Sequence, residues 1–475
     1  MSASPCTFRL VFLLLIGAIG NAFSENDPPN VLFILVDDLG WSDLSYMGSE
    51  IYETPNVDQL SREGMVFTDF YSGGPVCSPT RASIMTGKST ARTGITTFLI
   101  TPDQDAPYVT HALPTSEFTI GEAFKKNNYA TGYFGKWHLG YKQEDWVGNQ
   151  GFDVAIGGLT SKNAWKMMYP DREPPVDRLE TLMFSPHHFT HMKDGPKGEY
   201  LTDRLANETI DFIAANKSKP FFAFLSFHTV HTPLDAKPEV VEKYRKKIAQ
   251  LGLLGDDTME FGSRKFQNLP EYAAMVQHMD ENIGRVLQAL DSLELRENTI
   301  VVFTSDNGGK HVVTSNAPLR GAKHNLYEGG IRVATTIRYP EKIEEGTSSD
   351  LALISDDFYP TLLELAGLPL EDQQHVDGRS FKRVLLKNKT VPIHKALCWH
   401  YPHKRFEGAV RWKNFKLIYE YKTGKSELYD LSSDIGERNN LAKIDLKMVG
   451  KMKRMLRNWL KDTSARFPDE GMIMP

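Results

Sequence analysis

The stretch Gly73-Gly-Pro-Val-Cys77-Ser-Pro-Thr-Arg81, continuing as Ala82-Ser-Ile-Met-Thr-Gly87-Lys88, reads as the junction of a strand, a tight turn and a helix. Upstream, Met65 to Tyr71 is apolar and β-prone enough for a buried strand. Gly73 and Gly74 permit a sharp turn. Ser78 can cap a helix, Pro79 suits its first turn and Gly87 can end it. Cys77 then lies just before a helix N-terminus, where free N–H groups and the dipole favour negative charge, with Arg81 one turn further on. Position alone allows two readings: an inert buried thiol, or a cysteine-derived group beside an anion site.

Other strands end in chemistry of the same kind. Val31 to Val36 is a continuous apolar run, as in a strand buried on both faces, and Asp37-Asp38 follow at once. Thr299 to Ser305 repeats that pattern and delivers Asp306-Asn307-Gly-Gly. In open α/β sheets, ligands gather at the carboxyl ends of strands. Asp37, Asp38, Asp306 and Asn307 form an all-oxygen set that suits calcium or magnesium better than zinc. Alone, Asp37-Asp38-Leu-Gly would also suit a solvated turn. Tyr129 to Phe134 is a strand leading into Gly135-Lys136-Trp-His138-Leu-Gly140. In an extended chain Lys136 and His138 point the same way, which suits anion binding and proton transfer. Spacing alone favours a surface lysine and a packed histidine. Phe221 to Phe227 ends in His228-Thr-Val-His231-Thr-Pro233, and either histidine could enter a site. Leu319-Arg-Gly-Ala-Lys323 and Tyr327-Glu-Gly-Gly-Ile-Arg332 read as a glycine-rich turn carrying cations.

Between these motifs the chain reads as helices and loops. Thr54-Pro55 opens a helix through Arg62, and Thr119 to Lys126, Glu199 to Ala215, Glu239 to Leu251 and Asp356 to Ala366 are helical. Tyr272 to Leu293 is a long amphipathic helix, with Met275, Met279, Ile283, Val286 and Leu290 at core spacing. Residues 95–116 and 141–200 read as long loops, and 252–268 as a polar one. From Pro392 onward, short strands near Ala396 to His400, Gly408 to Arg411, Phe415 to Tyr419 and Ser426 to Tyr429 precede a helix, Asp445 to Leu460. The expected division is a main domain over 25–385 and a small α+β domain over 386–475.

The chain of 475 residues, with 41% apolar and 24% charged content, is ordinary for a globular protein with a sizeable core. A net charge of −5 argues against a nucleic-acid binder, so an anionic substrate must meet a local cluster of cations. Leu10 to Phe23, behind Arg9, is too short to span a membrane and reads as a signal peptide over 1–24. The expected location is therefore periplasmic, extracellular or lysosomal, with no membrane span. Cys77 and Cys398 remain in the mature chain, and Asn207, Asn216 and Asn388 head glycosylation sequons.

Cys77-x-Pro-x-Arg81 followed by Ala-Ser-x-x-Thr-Gly87 resembles the signature of the sulfatase family. The loops at Val36-Asp-Asp-Leu-Gly-Trp41, Gly135-Lys-Trp-His-Leu-Gly140, Ser305-Asp-Asn-Gly-Gly309, Leu319 to Lys323 and Asp434 to Leu441 resemble that family as well. The resemblance implies an alkaline-phosphatase-like α/β fold, a mixed sheet sandwiched by helices with a smaller C-terminal antiparallel sheet plus helix. It implies a sulfuric ester hydrolase in which a formylglycine-generating enzyme converts Cys77 to formylglycine, an aldehyde. It implies calcium on Asp37, Asp38, Asp306, Asn307 and residue 77. By the family mechanism, a gem-diol at residue 77 attacks sulfur with help from Arg81. Lys136, His231 and Lys323 hold the sulfate, His231 or Lys323 protonates the leaving alcohol, and His138 takes a proton to expel sulfate. The family's histidine precedes a small or polar residue and proline, which places the match on His231 rather than His228. A family sulfate-contacting serine has no matched position here, with Ser161 only nearby. The implied substrate is a sulfated carbohydrate or an aryl sulfate, with a pocket drawn from 95–115, 141–200 and 308–325. Two rivals remain: a phosphatase or phosphodiesterase on the same scaffold, and a sulfated-glycan-binding protein without turnover.

Overall fold

Asn30–Val36 is the axis of an eight-stranded sheet. The computed structural model describes residues 27–99, 108–158, 183–185, 187, 189, 191–468 and 471–475. In spatial order the strands are Thr347–Ser349, Met65–Phe67, Thr335–Arg338, Thr299–Ser305, Asn30–Val36, Phe221–Ser226, Ala130–Gly135 and Val154–Gly157. Thr335–Arg338 is antiparallel to both neighbours, and every other adjacent pair is parallel. Five neighbouring strands thus end on one edge.

The central strand shows why its sequence carries no polar face. Leu32, Ile34 and Val36 point into one core with Met275, Met279, Ile283, Val286 and Leu290 of the Pro270–Ser292 helix. Val31, Phe33 and Leu35 point into the other, with Ala82 and Met85 of Cys77–Thr86, Phe124 of Ile120–Lys126 and Phe358 of Phe358–Leu365. Side chains alternate across a strand, so helices on both faces require apolar residues at every position. Each buried side chain of this size contributes about 1.5–3 kcal/mol. Thr119 closes its helix start as a capping box with Glu122.

The last part of the chain is a four-stranded antiparallel meander, Leu397–Tyr401, Glu407–Trp412, Phe415–Glu420 and Ser426–Asp430. Trp399, Ala409 and Ile418 face the main body, packed on Tyr71, Val76 and Ile331. Val410, Leu417 and Leu428 face Met452, Leu456 and Leu460 of the Leu446–Asp462 helix. The alkaline-phosphatase-like mixed sheet and the smaller antiparallel sheet are as the sequence implied.

Several local expectations are corrected. Met65 to Tyr71 is two strands, not one: Met65–Phe67 stays in the main sheet, and Phe70–Tyr71 pairs with Leu353–Ile354. The polar pair Thr68-Asp69 makes the break, because Asp69 turns its carboxylate to Arg332 and Arg411. Cys77 is the first residue of its helix rather than the residue before it. The cap position is Val76, and Ser78 Oγ instead accepts the N–H of Leu99 at 3.1 Å. The expected loop over 141–200 contains the edge strand Val154–Gly157, and that over 252–268 a hairpin of Met259–Glu260 with Ser263–Arg264. The signal peptide at 1–24, Ser161, and residues 100–107 and 159–182 of the expected pocket lie outside the described residues. Among the described residues no helix is long and apolar enough to cross a membrane.

Candidate active site

Strand register begins the assembly. Val36 pairs with Ser305, and Asp306 N donates to Val36 O at 3.1 Å, so the ladder runs past the strand ends and sets Asp37 beside Asp306. Ser226 pairs with both Leu35 and Gly135, and Lys136 N donates to Ser226 O at 2.9 Å. Three loops therefore meet at one edge, as expected where parallel strands end. The Cys77–Thr86 helix and the loop carrying Lys323 close the same space.

The side chains then interlock. Lys136 Nζ donates to Asp37 Oδ2. Lys323 Nζ spans Asp38 Oδ1 and Oδ2 at 2.6 and 2.8 Å and lies 3.4 Å from Cys77 Sγ. Asn307 Nδ2 donates to Asp38 Oδ1 at 2.8 Å. His231 Nε2 is 3.5 Å from Asp38 Oδ2, while its Nδ1 meets Thr232 O at 2.5 Å. One ligand atom each from Asp37, Asp38, Cys77 and His231 lies within 4.8 Å of the other three.

Arg81 has a different place from the one its spacing suggested. Its Nε and Nη2 donate to Asp306 Oδ2 at 3.0 and 2.8 Å, and its Nη1 to Lys136 O and Ser226 Oγ, both at 2.7 Å. The guanidinium clamps three strand ends together and holds Asp306 in orientation. Ser226, which the sequence reading did not single out, completes that clamp; its only signal was a serine closing an apolar strand.

His138 does not point with Lys136 along an extended chain, because its φ is +60°. That twist turns Nε2 to Leu99 O at 2.9 Å. A carbonyl accepts only, so Nε2 carries the proton and Nδ1 presents a lone pair. Nδ1 is buried without a hydrogen-bond partner. Burial, then Lys136 and Arg81, holds the ring well below the usual histidine range. A neutral imidazole with a free lone pair is a base. His228 sits deeper, its ring stacked on Phe189 at 5.7 Å.

Electrostatics in the pocket are tense. Burial opposes the charge on Asp37, yet Lys136, His231 and Arg81 keep it well below the carboxylate range. Burial and the adjacent Asp37 push Asp306 up. Burial pushes the Cys77 thiol up to about 12 and His231 down to about 4. Asp37 Oδ1 and Asn307 Oδ1 are buried oxygens without a hydrogen-bond partner. Two orphaned oxygens beside three crowded carboxylates are the donor chemistry a hard divalent cation takes, so these residues fit calcium.

Comparison with known proteins follows the same outline. The family profile described as Sulfatase matches residues 29–368, and that described as N-sulphoglucosamine sulphohydrolase, C-terminal, matches 322–466. A protein named Sulfatase from Formosa agariphila is 30% identical, over 96% of this chain and 93% of that one. The N-acetylgalactosamine-6-sulfatase of Mus musculus is 30% identical, over 82% and 72%. The crystal structure of Ps i-CgsB in complex with k-i-k-neocarrahexaose superposes with a TM-score of 0.76 at 28% identity, over 94% of this chain and 96% of that one.

Proposed function

This chain belongs to the sulfatase family and is a sulfuric ester hydrolase, and we propose that its substrate is a sulfated carbohydrate, cleaved at residue 77 as formylglycine with calcium bound. The observation that carries this reading is the meeting of Asp37, Asp38, Cys77 and His231 within 4.8 Å, from loops far apart in the chain. Calcium, held by Asp37, Asp38, Asp306 and Asn307, would neutralise developing charge on the sulfate oxygens. As an aldehyde, residue 77 would supply a hydrated carbon with one oxygen to attack sulfur and a second to release it.

The chain's own residues supply the remainder. Lys136 and Lys323 bring positive charge to the carboxylates that line the floor, and Lys323 stands beside residue 77. They hold the anionic ester over that residue. Arg81 fixes Asp306 and the strand ends, which acts on the reaction through geometry. His231 or Lys323 protonates the leaving alcohol, and His138 Nδ1 takes the proton that lets sulfate depart.

Support for a carbohydrate comes from the relatives, one named for N-acetylgalactosamine 6-sulfate and one crystallised with a neocarrahexaose. Export through residues 1–24, a catalytic unit over 25–385 and a smaller unit over 386–475 belong to the same reading. The phosphatase rival would want histidine-rich two-zinc ligation, and the described cluster offers one histidine. Mass spectrometry of the Cys77 peptide from native-host protein tests the reading: an aldehyde, lighter than the thiol, is expected. An unmodified thiol in enzyme that turns over sulfate esters would overturn it.

A further inference from the structure

The pocket mouth carries cations that the chemistry above leaves unused. Lys404, in the turn between Leu397–Tyr401 and Glu407–Trp412, places Nζ 3.3 Å from His324 Nδ1 and 5.5 Å from the Phe98 ring centre. His324 follows Lys323 directly, and its N–H bonds Pro75 O at 2.8 Å, two residues before Cys77. Lys310 comes from the loop after Asn307 and donates to Thr232 Oγ1 at 3.0 Å, next to His231. Neither Lys310 nor Lys404 has a carboxylate partner among the described residues. Burial, and then the charges of Lys323 and Lys310, lower the Lys404 amine from its usual range. Cations gathered at a cleft without counter-charge repel one another, and an anionic ligand relieves that repulsion.

We propose that Lys310, His324 and Lys404 receive a second anionic group, sulfate or carboxylate, on the same sugar chain whose sulfate ester enters the pocket. This rests on the sulfatase reading above and deepens it: the substrate class is a glycan with at least two neighbouring anionic groups. Phe98, half-buried under Lys404 and edge-on to His324, gives the intervening sugar an apolar floor. The specificity of the pocket is then shared with the C-terminal sheet, through one lysine.

The test compares wild type with Lys404→Ala, and with Lys310→Ala as a second variant, on three probes. These are neocarra-oligosaccharides with one and with two sulfates per disaccharide, and a uronate–N-acetylgalactosamine 6-sulfate disaccharide. Wild type should favour the probes with the added anion, and each variant should reduce that preference about fivefold, mostly in KM. Preference for the two-sulfate probe assigns the rim to sulfate, and for the uronate probe to carboxylate. A loss that is equal on all three probes overturns the proposal. Calorimetry on Cys77→Ala, with and without Lys404→Ala, reads binding apart from turnover. Protein that cleaves no sulfate ester yet binds the two-sulfate probe through Lys404 would sink the catalytic reading and uphold the rim. Cleavage without any preference, or no binding to any probe, would sink the rim.

Discussion

In the pocket, Asp37, Asp38 and Asp306 meet Arg81, Lys136 and Lys323. Beneath the four-stranded sheet, Asp69, Glu328 and Glu437 meet Arg332, Arg411 and Lys416. Both clusters are buried, and both set three carboxylates against three cations. Under the sheet each carboxylate has a cation within 3.1 Å. Lys416 Nζ lies 2.8 Å from Glu328 Oε1 and 3.0 Å from Glu437 Oε1. Tyr71 OH donates to Glu328 Oε2 at 2.7 Å, and the Glu328 N–H to Glu437 Oε2 at 2.7 Å. Asp69 is gripped by Arg332 and Arg411. The pocket leaves Asp37 Oδ1, Asn307 Oδ1 and His138 Nδ1 without hydrogen-bond partners. Equal numbers of charges thus do different work. Under the sheet Glu437 Oε1 also lacks a hydrogen bond but keeps Lys416 at 3.0 Å, and that cluster fastens two parts of the chain. The pocket's orphaned oxygens and ring nitrogen instead converge on one space that can receive a ligand.

The sharpest way to break the comparison is at residue 77. Cys77→Ala should lower sulfate ester hydrolysis by more than about 1000-fold while the thermal melt stays in place. Retained activity would remove the assigned nucleophile. Thorough chelation should come next, lowering turnover by about 100-fold, with calcium restoring it. Indifference to metal removal would mean that the orphaned oxygens await something else.

The fastening cluster should respond in the opposite sense. Lys416→Met leaves buried carboxylates uncompensated and should cost about 3–5 kcal/mol in denaturant unfolding. Activity per folded molecule should stay within about twofold of wild type. A variant that is as stable as wild type but inactive would merge the two clusters into one function.

The smallest effect is a slope with pH. Burial, with Glu328 nearby, raises Glu437 from 4.5 to about 7. Between those values the folded protein binds more protons than the unfolded chain, so stability falls as pH rises through the window. Glu437→Gln should flatten the dependence of the denaturation midpoint between pH 5 and 7. An unchanged slope would place the titrating group elsewhere.

Much of the architecture was legible. Apolar runs without polar alternation gave strands covered on both faces, and the acids directly after Val36 and Ser305 marked a reactive sheet edge. The spacing from Met275 to Leu290 named the helix face that enters the core. Val154–Gly157 was not legible, because four residues with a glycine carry no clear alternation; pairing at the sheet edge with Ala130–Gly135 makes it a strand. Ser78 had the right chemistry for a cap, but Leu99 claimed its hydroxyl. The split at Thr68-Asp69 depended on arginines that arrive from Arg332 and Arg411.

The sequence by itself determined which side-chain chemistry stands at the end of which strand. Periodicity, capping and turn preference depend on neighbours a few residues apart, and those neighbours are written in order. Only the tertiary structure decided which charges meet. Arg81 faces Asp306 rather than the open pocket, Lys323 reaches Asp38, and Lys404 comes to the mouth from the small sheet. Those meetings follow from strand register and shared burial between segments hundreds of residues apart, where removal of water makes each pairing strong and each unpaired atom consequential.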